Sequence, residues 1–77
     1  MKYFLYTVED EEIKEAKGEV QDIPEGFIKC KNTFAIEDIF YKIQDTKVTE
    51  VIGEAYHEDT AKRRVDDFLS ALNVNLF

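Results

Sequence analysis

Residues 2–8, Lys-Tyr-Phe-Leu-Tyr-Thr-Val, constrain the fold more than any other stretch of this chain. Aromatic and β-branched side chains favour a pleated strand. Successive side chains of a strand point to opposite faces, and here both sets are largely apolar. Tyr3, Leu5 and Thr7 fall on one side, Phe4, Tyr6 and Val8 on the other. A strand of that kind sits centrally in its sheet or is covered on both faces. The rest of the chain must therefore supply strands beside it and a layer to cover it.

Two later segments read as strands. Phe27 to Lys31 alternates Ile28 and Cys30 against Lys29 and Lys31. Lys47 to Tyr56 is the other, and Gly53 within it marks a bulge or a point where a helix packs close to the backbone. Between the first two strands, Ile23-Pro24-Glu25-Gly26 reads as a type I turn, with Pro second and Gly fourth.

Helical spacing appears in three places. Ala61, Val65, Phe68, Leu69 and Leu72 line one face of a helix over 58–72, with Glu58 and Asp59 in its first turn. Ile36, Ile39, Phe40 and Ile43 fall at i, i+3, i+4 and i+7, which predicts a second helix from Asn32 or Thr33 to Gln44. A strand over 38–44 is the competing reading, because Ile, Phe and Tyr suit both states. In residues 9–22, Ile13, Ala16 and Val20 recur at near-helical spacing, but Gly18 weakens any regular element. That stretch reads as an acidic loop or a short helix, with a hairpin arm as the alternative.

Seventy-seven residues form one domain, 1–77, within which 9–26 is an acidic segment and turn. The expected fold class is α+β. It comprises a three-stranded sheet, or a four-stranded one, with two helices packed on one face. The expected order is β-(acidic loop or short helix)-β-α-β-α, with a right-handed crossover if the second and third strands are parallel.

The net charge is −7, and residues 1–26 carry most of it, with eight acids against three lysines. That distribution opposes direct binding to nucleic acid or to an anionic membrane, which needs clustered Lys and Arg. No apolar run approaches the roughly 20 residues of a membrane-spanning helix. No secretory leader follows Lys2, and the lone Cys30 fits a reducing compartment, so the cytoplasm is the expected location.

Chemistry-bearing groups are few. Cys30 and His57 are a conceivable nucleophile and base, but no orienting third residue or oxyanion loop accompanies them. The simpler roles are a small buried side chain for Cys30 and a helix-start residue for His57. One Cys and one His do not make a structural zinc site. The run Glu9-Asp10-Glu11-Glu12 lacks the ligand spacing of a calcium loop. Neither a cofactor nor a metal is expected, and neither is enzymatic activity.

In the basic cluster Lys62-Arg63-Arg64, Lys62 and Arg63 have acids four residues away, whereas Arg64 has none. The tail Asn73-Val74-Asn75-Leu76-Phe77 resembles the bacterial sliding-clamp-binding pentapeptide, with only Leu76 and Phe77 matching outright. Docking on its own sheet or at a homodimer contact is the simpler role for such a tail.

The expected function is a non-enzymatic protein-binding module, an inhibitor or regulator whose acidic face engages a basic partner, with imitation of nucleic-acid phosphates as one form of that contact. Glu9, Asp10, Glu11, Glu12, Glu15, Glu19 and Asp22 would form that face, with Leu76 and Phe77 as an apolar contact. The alternative is an assembly protein that self-associates through its tail or a sheet edge, giving a homo-oligomer.

Overall fold

A computed structural model describes residues 1–31 and 39–74, with the side chains of residues 73 and 74 left aside. Five strands and one helix follow in order: β1 (Lys2–Glu9), β2 (Glu12–Val20), β3 (Ile28–Lys29), β4 (Ile39–Gln44), β5 (Lys47–Ala55) and α1 (Glu58–Val74). The strands form one sheet in the order β2-β1-β5-β4-β3, and every neighbouring pair is antiparallel. Helix α1 packs mainly on the central strand β5.

The doubly apolar β1 lies between β2 and β5, as its composition demands. Phe4, Tyr6 and Val8 are buried on the helix side, while Tyr3, Leu5 and Thr7 are half-buried on the far side. Facing α1, β5 contributes Val51, Gly53 and Ala55, and β4 contributes Ile39 and Tyr41. The helix answers with Ala61, Val65 and Leu69, all at most 2% exposed. Leu72 and Phe68 pack at the margin of this core, Phe68 with its ring 5.5 Å from that of Tyr41.

Gly53 determines how closely the helix can approach. A β-carbon there would lie 3.0 Å from Val65 Cγ2 and 3.1 Å from the Ala61 carbonyl oxygen. Its two cross-strand neighbours are Phe4 and Ile39, so small residues on β5 lie between bulky ones on the flanking strands. The result is a trough into which one helix fits. Of the two roles open to Gly53, close packing against a helix is the one observed.

The far side of the sheet has its own apolar centre. Ile52 is fully buried and pairs with Leu5 on one side and Phe40 on the other. Tyr3 and Phe40 meet edge-to-face across β5, with ring centroids 6.1 Å apart. Residues 21–27 connect β2 to β3, the two opposite edges, and so cross the whole width of the sheet. Five strands are about 19 Å wide from first to last axis, and eight Cα steps reach roughly 29 Å at most, so this strap runs largely extended.

The expected architecture is therefore corrected. The sheet has five strands rather than three or four, one described helix covers it rather than two, and no described pair of strands is parallel. Residues 12–20 are strand β2, not loop or helix. Two β-bulges explain the misleading spacing: the register with β1 skips Lys17 between Gly18 and Ala16, and Lys14 between Glu15 and Ile13. Each bulge adds one residue, so Ile13 and Ala16 lie three apart yet share the helix-facing side.

Residues 39–44 form β4, not the end of a helix, because they pair along β5 on one side and briefly with β3 on the other. The first part of that expected helix, residues 32–38, lies outside the described residues. The turn before β3 also differs. The turn centres on Glu25 and Gly26, so Gly26 stands third rather than fourth, and its φ of +94° there is a left-handed position that type II turns hold and type I turns do not.

Both long hairpins close with two-residue turns of positive φ: Asp10 (54°) and Glu11 (63°), then Asp45 (54°) and Thr46 (65°). These are the primed turns that match strand twist, and they usually hold Asn-Gly or Asp-Gly. Here Asp occupies the first place in each, but a side-chain-bearing residue occupies the second. Replacing Glu11 or Thr46 by Gly is expected to raise the unfolding free energy by about 0.5–1 kcal/mol each, measured by urea denaturation. Gly53→Ala is expected to lower it by about 1–3 kcal/mol, and Gly53→Val by more, since Cβ must displace both Val65 and the helix backbone at Ala61.

Candidate functional site

The acids singled out by sequence occupy one edge of the sheet and its two ends rather than a single face. Asp10 and Glu11 form the turn between β1 and β2, and Glu9 and Glu12 are directly opposed just below it. Like charges facing each other across strands oppose pairing. Glu15 pairs with Thr7 and Glu12 with Glu9, both on the face away from α1, whereas Glu19 pairs with Phe4 on the helix side. Asp22 follows the end of β2 at the opposite end of the sheet.

Two lysines temper this edge. Lys14 Nζ lies 3.5 Å from Glu9 Oε1, and Lys17 Nζ lies 3.5 Å from Glu15 Oε1. Both are the bulge residues of β2, and both pairs are exposed, so each contributes little to stability. The turn acids Asp10 and Glu11 have no ion pair among the described residues. The acidic surface is thus concentrated at the hairpin tip and continues along β2. Leu76 and Phe77, the proposed apolar contact, lie outside the described residues.

The described residues toward the opposite edge include several lysines. Lys29 on β3 and Lys42 on β4 point to the far face, Lys31 follows β3, and Lys47 opens β5. Lys42 Nζ is 3.9 Å from Glu50 Oε1. Sequence reasoning missed this grouping, because the lysines are dispersed between residues 29 and 47 and only the topology gathers them. The one available signal was the alternation of Lys29 and Lys31 in the expected strand.

The remaining polar groups have structural roles. Cys30 is half-buried against the helix-side core, and its N–H donates to the Ile39 carbonyl at 2.7 Å. His57 is exposed at the start of α1, where its carbonyl accepts the Ala61 N–H at 3.1 Å. Lys62 pairs with Asp66 at 3.3 Å, as its spacing predicts. Arg64, which has no acid four residues away, reaches the Glu54 carbonyl on β5 at 3.4 Å. The Thr49 hydroxyl is buried in the β5 bulge without a hydrogen-bond partner. Among the described residues no cluster of three His, Cys, Asp or Glu could hold a metal ion. No described helix is long and apolar enough to cross a membrane.

Tyr6 carries a resolved shift in acidity. It is 1% exposed, and its hydroxyl donates to the Glu58 carbonyl at 3.4 Å, tying β1 to the first turn of α1. Burial first, then the negative charges of Glu58, Asp66 and Asp59, push its pKa up to about 12. Compared with known protein families, with curated proteins and with solved structures, the chain matches none.

The Tyr6 shift has a consequence at high pH. The unfolded phenol ionises near its ordinary value of 10, whereas the folded one holds its proton to about 12. Folding is unaffected by this group below pH 10 and loses stability as pH rises from 10 towards 12, since the unfolded state releases the proton first. Tyr6→Phe is expected to flatten that alkaline limb, read from urea denaturation at stepped pH.

Proposed function

We propose that this chain is a non-enzymatic protein-binding module, an inhibitor or regulator that engages a basic surface of another protein through its acidic hairpin edge. One observation carries the reading. Glu9, Asp10, Glu11, Glu12, Glu15 and Glu19 all lie on one β-hairpin, with Asp10 and Glu11 presented at a tight, projecting turn. A hairpin anchored in the sheet through the pairing of β1 with β5 holds these charges in place without the ordering cost of a loop. Spaced carboxylates on such a ribbon suit a groove lined with Lys and Arg, the surface that nucleic-acid-binding proteins present to phosphates. The same charge would repel nucleic acid itself and an anionic membrane. A lone, half-buried cysteine suits a reducing compartment, and the cytoplasm is the proposed location.

Charge complementarity of this kind acts on encounter rate and specificity, and salt weakens it. Affinity capture from the source lysate is expected to retain a basic protein at low salt and release it at high salt. Glu11→Lys, Glu12→Lys and Glu15→Lys together are expected to lower affinity for that protein at least about tenfold, while leaving the melting curve nearly unchanged. Binding that survived both the reversals and high salt would reject the acidic edge as the contact.

A further inference from the structure

The strap of residues 21–27 joins two strands that run the same way. Every neighbouring pair in the sheet is antiparallel, so four reversals separate β2 from β3 and their directions agree. The chain leaves β2 at the end of the sheet where Tyr3 and Glu54 lie, and it enters β3 from the other end. A connection of that kind has to cross a face of the sheet. Helix α1 occupies one face. The strap therefore lies across the other.

The side chains of that far face agree. Ile52 points away from α1 yet is fully buried, and Tyr3, Leu5 and Phe40 around it are half-buried. Ile23 and Phe27, the two large apolar residues of the strap, are half-buried too, and neither belongs to the core beneath α1. Alternation along β3 turns Phe27 to the same face as Lys29. At Gly26 a β-carbon would lie 3.6 Å from Lys42 Cε, a side chain of that face. Sheet and strap thus enclose a second apolar layer.

Little else holds the strap down. Gln21, Asp22, Pro24, Glu25 and Gly26 are exposed, and among the described residues no strap side chain makes a hydrogen bond or ion pair. Val20 and Ile28 stand three residues apart along the strands, on the levels of Glu54 and Val51. With about 19 Å across the sheet and about 10 Å along it, the strap spans roughly 21 Å. Its eight Cα steps reach about 29 Å, so it can lift without unpairing either edge strand. Segments with few apolar anchors and few hydrogen bonds open locally, at a free energy well below that of global unfolding.

We propose that the strap is a releasable cover, which opens as a unit while the sheet and α1 stay folded and so uncovers Tyr3, Leu5, Phe40 and Ile52. Ile23 and Phe27 are its two clasps. Opening gives the molecule an apolar surface that the closed state withholds. This holds whether or not the acidic edge is a contact surface.

Neighbouring residues of β5 supply the test, because Val51 and Ile52 are both 0% exposed but face α1 and the strap respectively. Ile52→Cys and Val51→Cys, each combined with Cys30→Ser, are labelled with iodoacetamide in native buffer and in low urea and followed by mass. Each rate is divided by that variant's own unfolding constant from urea denaturation. On this scale the Ile52→Cys thiol is expected to react at least about tenfold faster than the Val51→Cys thiol, with almost no dependence on urea. Adding Phe27→Ala is expected to widen the ratio by at least about threefold more. Equal rates with equal urea dependence overturn the proposal, since both thiols then wait for global unfolding. A second measurement leaves the sheet unaltered: a thrombin site inserted between Pro24 and Glu25 is cleaved in the folded chain. The nicked chain is expected to keep its far-ultraviolet circular dichroism and to bind the dye ANS, which the uncut chain does not. Loss of the circular dichroism on cleavage, or a native spectrum without dye binding, overturns the proposal as well.

Discussion

The close approach of α1 to β5 at Gly53 is the contact on which the rest of the structure depends. Among the described residues a single helix covers the central three strands of a five-stranded sheet, and it does so by sinking between them. Gly53 and Ala55 lower the floor of the trough, while Phe4, Tyr6, Ile39 and Tyr41 raise its walls. Ala61 and Val65 are the helix residues that meet the floor, small enough to allow a near-backbone contact. Two polar ties then set the helix along its groove, Tyr6 to the Glu58 carbonyl near its start and Arg64 to the Glu54 carbonyl farther along.

What could be read from sequence follows from how local each signal is. The helix at 58–74 and the strand at 2–9 declare themselves through their side-chain pattern over many residues, and the strand at 47–55 through its β-branched content despite the bulge at Thr49. β2 hides because two bulges break its period of two, and the three-residue spacing of Ile13 and Ala16 then imitates a helix turn. β4 hides because Ile39, Phe40 and Ile43 fit a helical stripe as well as an alternating strand, and only its partners on β5 decide the matter. The Asp45-Thr46 turn that makes this pairing possible lacks the glycine by which primed turns are usually recognised. The acids of the candidate site were legible as a run, but their placement along one edge was not, since that depends on β2 being a strand. The lysines toward the opposite edge were still less visible as a group, because they come from three separate strands.

The described charges are unevenly spread across the width of the sheet. The acids gather on the β2 edge, whereas the described lysines of β3, β4 and the start of β5 are dispersed, with a mixed row on the outward side of α1. Edges are where sheets are most prone to unwanted pairing, and charges and bulges on β2 restrain that tendency. The same charges give the edge a preference among partners. Protection and recognition are therefore served by one set of residues, and the choice between them lies in what carries the complementary lysines.

The pairing of β1 with β5 joins residues that are far apart in the chain, Tyr6 opposite Val51 and Lys2 opposite Ala55. The central seam of the sheet cannot close until β5 has been made, whatever the two local hairpins do on their own. Chains whose key contacts are so distant fold slowly for their size, because loop entropy is lost before the contact is gained. During synthesis, the doubly apolar β1 must wait with both faces uncovered while some forty residues emerge after it. The charged hairpin that follows directly is well placed to keep that waiting strand in solution, a service rendered before the protein has a surface at all.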